Sequence, residues 1–350
     1  MPIPLLFNLN QNRSSQSEDG IEKTPPVEGN SDMDINDREA VIPEPLMDWL
    51  IKVRKRQSEL EAKGYQINVP SVREALEVMT RMYVTGIPVI DKLQDAHIPG
   101  PDGLVPVRIY HPEPARPLPV ALFFHGGGHM GGSVGVYDAI SRKLALAARR
   151  IIVSVEYRLS PEHPYPAGLQ DALACTRQVL ETLRDLSITH EPKLALIGDS
   201  AGAAMSATIS HLLQAEPEVI LERQVLIYPS LDYTMSRPSM EENGRGYFLE
   251  LSRIQWMLDA YLKNYKGDRR LMSPLFMEPA ARYPQSLVIT CGFDPLRDEG
   301  FEYVDKLRAS GIPTTHLHMS GMIHAYLNLE DLVPAACQRT YAAIGDFLKD

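Results

Sequence analysis

The pentapeptide Gly198-Asp199-Ser200-Ala201-Gly202 lies between the apolar run Lys193 to Ile197 and the small-residue helical stretch Ala203 to Gln214, which gives strand, tight turn and helix in chain order. A G-x-S-x-G turn holds its serine in a strained conformation, and the glycines two residues to either side keep side chains out of the strand and helix that meet there. Ser200 is then lifted into solvent at a helix N-terminus, where negative charge is favoured on its own backbone and that of Ala201. A serine at this place also suits an ordinary helix cap. The rest of the chain decides between the two.

Three further segments supply a mechanism. His125-Gly126-Gly127-Gly128 follows the strand Val120 to Phe124, and residues without side chains let backbone N–H groups approach a reacting carbonyl oxygen. Asp294-Pro295-Leu296-Arg297-Asp298-Glu299-Gly300 follows the strand Leu287 to Cys291, and Gly321-Met322-Ile323-His324 follows Thr315 to Met319. Nucleophile, acid and base thus occur in the order used by α/β-hydrolases. Asp298 and Glu299 compete with Asp294 as the acid, but both sit where a following helix begins and acidic residues complement its dipole. His316 and His318 alternate within a strand and share a face suited to the surface or a sheet edge. His324 is the late histidine in a loop, and His125 is expected to be structural.

With Tyr157-Arg158-Leu159-Ser160-Pro161-Glu162-His163-Pro164-Tyr165-Pro166-Ala167 and on to Asp171, these motifs make the chain resemble the hormone-sensitive-lipase family of esterases, from about Leu46 to the C-terminus. The resemblance implies that Ser200 is the nucleophile, His324 the base and Asp294 its orienting acid, with the N–H groups of Gly126, Gly127 and Ala201 as oxyanion hole. It implies a small-molecule ester substrate and no cofactor; two cap segments roofing the site would narrow the acyl channel, so short- to medium-chain esters are expected. Acyl transfer or amide hydrolysis by the same triad, or a non-catalytic receptor on the same fold, are the alternatives. The chain departs from the family at His129, where an aromatic residue is common, and at Ala325-Tyr326 after the histidine. Both departures bear on substrate preference.

The chain has 350 residues, 44% of them hydrophobic, enough for a substantial core. A net charge of −10 argues against a nucleic-acid partner. Met1 to Leu9 are too short an apolar run for a secretory signal or membrane span, so the cytoplasm is the expected location. Cys175, Cys291 and Cys337 are odd in number and far apart, which favours buried thiols, and the ten histidines show no metal-ligand spacing. Monomer and homodimer are both left open.

Residues 1–43 read as a flexible polar arm and residues 44–95 as cap helices. Leu46, Trp49, Leu50, Val53 and Leu60 follow helical spacing, and Ser71-Val72-Arg73-Glu74 reads as a capping box opening a second helix. Residues 96–350 read as the catalytic domain. Alternating strand and helix patterns there predict an α/β fold, a mostly parallel central sheet with helices on both faces and a helical cap. Residues 231–283, with a helix near 252–262, form the second cap segment. Gly126-x-Gly128-x-x-Gly131 also fits a dinucleotide fingerprint, but a strand precedes this unit and the helix begins near Tyr137.

Overall fold

A computed structural model describes residues 40–349 of the chain. Eight strands form one sheet in the order β1-β2-β4-β3-β5-β6-β7-β8. β1 (Lys92–Gly100) and β2 (Gly103–His111) form an antiparallel hairpin, and β2 joins β4 (Ile151–Val155) antiparallel. From β4 onward the pairing is parallel, through β3 (Leu118–Phe124), β5 (His190–Asp199), β6 (Leu221–Ile227), β7 (Gln285–Phe293) and β8 (Thr314–Ile323).

Continuous apolar runs identify the central strands because both faces are covered. In β3, Ala121 and Phe123 pack with Ile140 and Leu144 of α3 (Asp138–Ala148) and Ile344 of α9 (Pro334–Leu348). Val120, Leu122 and Phe124 point the other way, toward Ala172 and Val179 of α4 (Ala167–Asp185) and Met205 and Ile209 of α5 (Ala201–Leu213). Tyr303 and Val304 of α8 (Arg297–Ala309) pack with Leu226 and Val288. Cys175, Cys291 and Cys337 are buried free thiols.

β1 was not anticipated. Only Ala96 and Ile98 are buried in it, Pro99 is near its end, and as an edge strand it has no second neighbour to demand an apolar run.

Before the sheet come α1 (Glu44–Ala62) and α2 (Val69–Tyr83). Leu46, Trp49, Leu50, Val53 and Leu60 are the buried face of α1, and Gly64, at φ +75°, provides its left-handed exit. The start of α2 corrects the expected capping box. Asn68, not Ser71, is the cap: its side chain accepts from Ser71 N and Ser71 Oγ accepts from Asn68 N, both at 3.0 Å. Pro70 lies in that first turn, where its missing N–H costs nothing, so the helix begins one turn earlier. Arg73 ties α2 to the body of the protein through Met130 O, Ser160 O and Glu162.

Within 231–283 lie α6 (Ser239–Glu242) and α7 (Leu251–Tyr261). Phe248 meets Trp49 of α1 at a ring separation of 5.3 Å, so this segment and α1 touch. Of the expected arm, residues 1–39 lie outside the described residues, including the Met1 to Leu9 run. Ile42 is already buried in the core and Val41 O packs against Gly321, so packed chain begins slightly before the expected boundary at 43. Among the described residues no helix is long and apolar enough to cross a membrane.

Candidate active site

Three parallel strands end on three chemically distinct residues. Ser200 is the first residue beyond β5, Asp294 the first beyond β7 and His324 the first beyond β8. The sheet's register therefore brings them together at the carboxyl ends of the strands. Ser200 Oγ is 2.8 Å from His324 Nε2, and His324 Nδ1 is 2.8 Å from Asp294 Oδ2. The second carboxylate oxygen of Asp294 accepts from Leu296 N at 2.9 Å, and Asn243 Nδ2 donates to Asp294 O at 3.2 Å. Asp294 and His324 are both buried.

The elbow is sterically forced. Ser200 sits at φ +54°, ψ −117°, a region that a non-glycine residue occupies only under constraint. A Cβ on Gly198 would lie 2.3 Å from the Gly202 backbone, and one on Gly202 would lie 1.9 Å from Phe124 O. Ser200 N donates to Ile227 O at 2.9 Å, which fixes the turn against β6.

The glycine loop after β3 corrects one sequence expectation. Gly126 N donates to Asp199 Oδ1 at 2.6 Å, so this N–H is occupied and does not face the cavity. Gly127 and Gly128 do line it, together with Ala201 at the first position of α5. Among the described residues no hydrogen bond occupies the N–H groups of Gly127, Gly128 or Ala201. Three consecutive glycines look alike in sequence, and the carboxylate that selects among them comes from another strand. Asp199 itself was passed over as the variable residue of the elbow.

Asp199 is buried, and it also accepts from Tyr137 Oη at 3.2 Å and Tyr228 Oη at 3.4 Å. Desolvation pushes its carboxyl up to about 7, against the pull of the Gly126 N–H and the tyrosine hydroxyls. An unfolded Asp titrates near 4. Between those values the folded chain keeps a proton that the unfolded chain has released, so Asp199's contribution to stability is full below about 4 and lost as pH rises through about 7. Asp199→Asn keeps an acceptor for Gly126 and removes that loss. We expect the variant to gain on the order of 2–4 kcal/mol relative to wild type between pH 5 and pH 8, read from urea unfolding. A difference that does not change with pH defeats this reading of Asp199.

Two other buried histidines are kept neutral. Burial pushes His125 down to about 4 and His129 down to about 3. His125 stacks between Tyr137 and Tyr157, with Nδ1 2.9 Å from Gly126 O. His129 lies flat on Tyr261 at 3.8 Å and meets Tyr233 Oη at 3.0 Å. The dinucleotide alternative fails on geometry. The helix opens at Asp138, beyond the glycines, and the Glu156 carboxylate accepts from Val134 N at 2.7 Å. His316 and His318, on the edge strand β8, both hydrogen-bond to Thr290 Oγ1 of β7, away from the cavity. Among the described residues, no three His, Cys, Asp or Glu side chains gather as a metal site.

A protein family described as having the alpha/beta hydrolase fold matches residues 121–328. The chain is 36% identical to Esterase LipI of Mycobacterium tuberculosis over 286 residues, 78% of this chain and 85% of the relative. The chain belongs to the α/β-hydrolase family. Within it, the hormone-sensitive-lipase-like branch suggested by the sequence motifs is the right one. This α/β-hydrolase is also 32% identical to an arylesterase of Saccharolobus solfataricus over 263 residues, 75% of this chain and 84% of that one. A hyperthermophilic esterase from the archaeon Pyrobaculum calidifontis superposes with a TM-score of 0.79 at 29% identity, covering 88% of this chain and 98% of the other.

Proposed function

We propose that this carboxylic-ester hydrolase works through Ser200, His324 and Asp294 and an acyl-enzyme, on short- to medium-chain esters. The observation that carries the reading is the continuous chain of hydrogen bonds, 2.8 Å from Ser200 Oγ to His324 Nε2 and 2.8 Å from His324 Nδ1 to Asp294 Oδ2. His324 accepts the Oγ proton as Oγ attacks the ester carbonyl, then returns it to the leaving alcohol. Water, deprotonated by the same imidazole, cleaves the acyl-enzyme. The N–H groups of Gly127, Gly128 and Ala201 stabilise the oxyanion, and loss of one such donor costs about a hundredfold or more.

The cap is part of the proposal. α1 and α2 contribute Leu50, Val53, Val72 and Leu76 to the cavity wall, and the 231–283 segment contributes Phe248, Ile254 and Met257. A Cβ on Gly128 would lie 2.3 Å from Met257 Sδ, so α7 presses directly on the oxyanion loop. Such a roof supports a bounded acyl channel and not a long open groove.

The test is a panel of 4-nitrophenyl esters with acyl chains from two to sixteen carbons and an anilide control. We expect kcat/KM to peak among the short and medium chains and to be far lower at sixteen carbons and on the anilide. A peak at sixteen carbons defeats the chain-length reading. Anilide cleavage at the ester rate would favour an amidase.

A further inference from the structure

The cavity that holds Ser200 is apolar over most of its wall but carries two cations on its cap side. Arg253 of α7 and Arg54 of α1 both line it. Among the described residues neither side chain has a hydrogen bond or an ion pair. Most other arginines among the described residues are paired with carboxylates, for example Arg73 with Glu162 and Arg158 with Asp171. Among the described residues the carboxylate that α7 and α1 set beside the two is Glu250, whose Oε1 already accepts from Gly246 N at 3.0 Å. Arg54's guanidinium lies over the same glycine, its Cζ 3.4 Å from where a Gly246 Cβ would stand. On the cap side of the cavity two guanidiniums thus stand against one carboxylate, and the other carboxyl of the lining, Asp199, is engaged by Gly126 N and the Tyr137 and Tyr228 hydroxyls.

That placement is costly. Arg253 is half-buried, and desolvation holds its guanidinium below its ordinary value despite the attraction of Glu250. It also stands in the first turn of α7, where the helix dipole disfavours a cation. Among the described residues only Glu250 offsets part of that cost, whereas a bound anion would offset more of it. Met257, which abuts the oxyanion loop, is four residues further along α7, so Arg253 stands one helical turn, about 6 Å, from the reacting centre's wall.

We propose that the cavity binds esters carrying a free carboxylate remote from the scissile bond, held by Arg253 with Arg54 at its side. The proposal rests on the ester-hydrolase reading and adds the substrate class. A guanidinium offers a carboxylate paired N–H donors, and a second guanidinium at its side strengthens the attraction for an anion.

Two matched pairs test it by pH-stat titration. Ethyl hydrogen adipate against ethyl hexanoate places the anion on the acyl side, and 6-acetoxyhexanoate against hexyl acetate places it on the alcohol side. The wild type should favour the charged member of at least one pair. The ratio of charged to neutral kcat/KM should fall about tenfold or more in Arg253→Gln, mainly through KM, further in Arg253→Gln/Arg54→Gln, and recover in part in Arg253→Lys. Added sodium chloride should raise the wild-type KM for the favoured charged ester and not for its neutral partner, a readout that needs no variant. A wild type that favours the neutral member of both pairs, or variants that slow both members equally, overturns the proposal. A wild type inert toward 4-nitrophenyl butyrate as well would instead remove the ester-hydrolase reading beneath it.

Discussion

Ser200→Ala should lower kcat on 4-nitrophenyl butyrate by about 10⁴- to 10⁶-fold while leaving the urea unfolding curve within about 1 kcal/mol of wild type. The two halves of this result have separate causes. Oγ makes one hydrogen bond, 2.8 Å to His324 Nε2, so its removal takes the nucleophile and little else. The elbow is held by backbone contacts that alanine preserves: Ser200 N to Ile227 O at 2.9 Å and Ala204 N to Ser200 O at 3.1 Å. Alanine tolerates the positive φ no worse than serine, since both carry a Cβ. A phosphonate ester should label wild type once, at Ser200, and fail to label the variant. Retained activity in the variant would place the nucleophile elsewhere.

The elbow was legible in sequence because its sterics are local. Gly198 and Gly202 are required by backbone atoms within a few residues or on the adjoining strand, and no other residue type fits. The central strands were legible for a related reason, since burial on both faces leaves an apolar run. β1 was not, because an edge strand with two buried side chains, Ala96 and Ile98, has almost no pattern. The start of α2 was misplaced by one turn because Ser71 and Asn68 both satisfy cap chemistry, and Pro70 favours the earlier one.

The site divides along the same line. Asp294, His324 and Ser200 could be placed because each lies just past a readable apolar run, although β7 and β8 run on to Phe293 and Ile323, beyond the expected ends at Cys291 and Met319. Which glycine N–H faces the cavity could not, because that depends on the Asp199 carboxylate reaching across to Gly126 from β5. Arg253 was invisible for another reason. On an amphipathic helix an arginine reads as part of the wet face, and only the convergence of α1 with the 231–283 segment turns that position into a cavity wall.

Asp294→Asn should cost about as much as loss of the nucleophile's activation, roughly 10⁴-fold in kcat, although the substitution changes only one atom for another of nearly equal size. The reason is the hydrogen bond from Leu296 N to Asp294 Oδ1 at 2.9 Å. That donor keeps the amide oxygen of the new asparagine on its side and turns the NH₂ group toward His324 Nδ1, 2.8 Å away. Nδ1 must then accept, so the imidazole proton moves to Nε2, the atom facing Ser200 Oγ. A ring that donates to Oγ cannot remove its proton. The loss should appear in kcat with KM little changed, and should ease at high pH where hydroxide can replace the base. Asp298→Asn is the comparison. Asp298 accepts from Ser239 N at 2.9 Å and pairs with Arg297 at 2.7 Å, contacts that hold α8 and do not reach the imidazole. That variant should stay within about tenfold of wild type. If Asp294→Asn remains within tenfold while Asp298→Asn collapses, the acid has been assigned to the wrong residue.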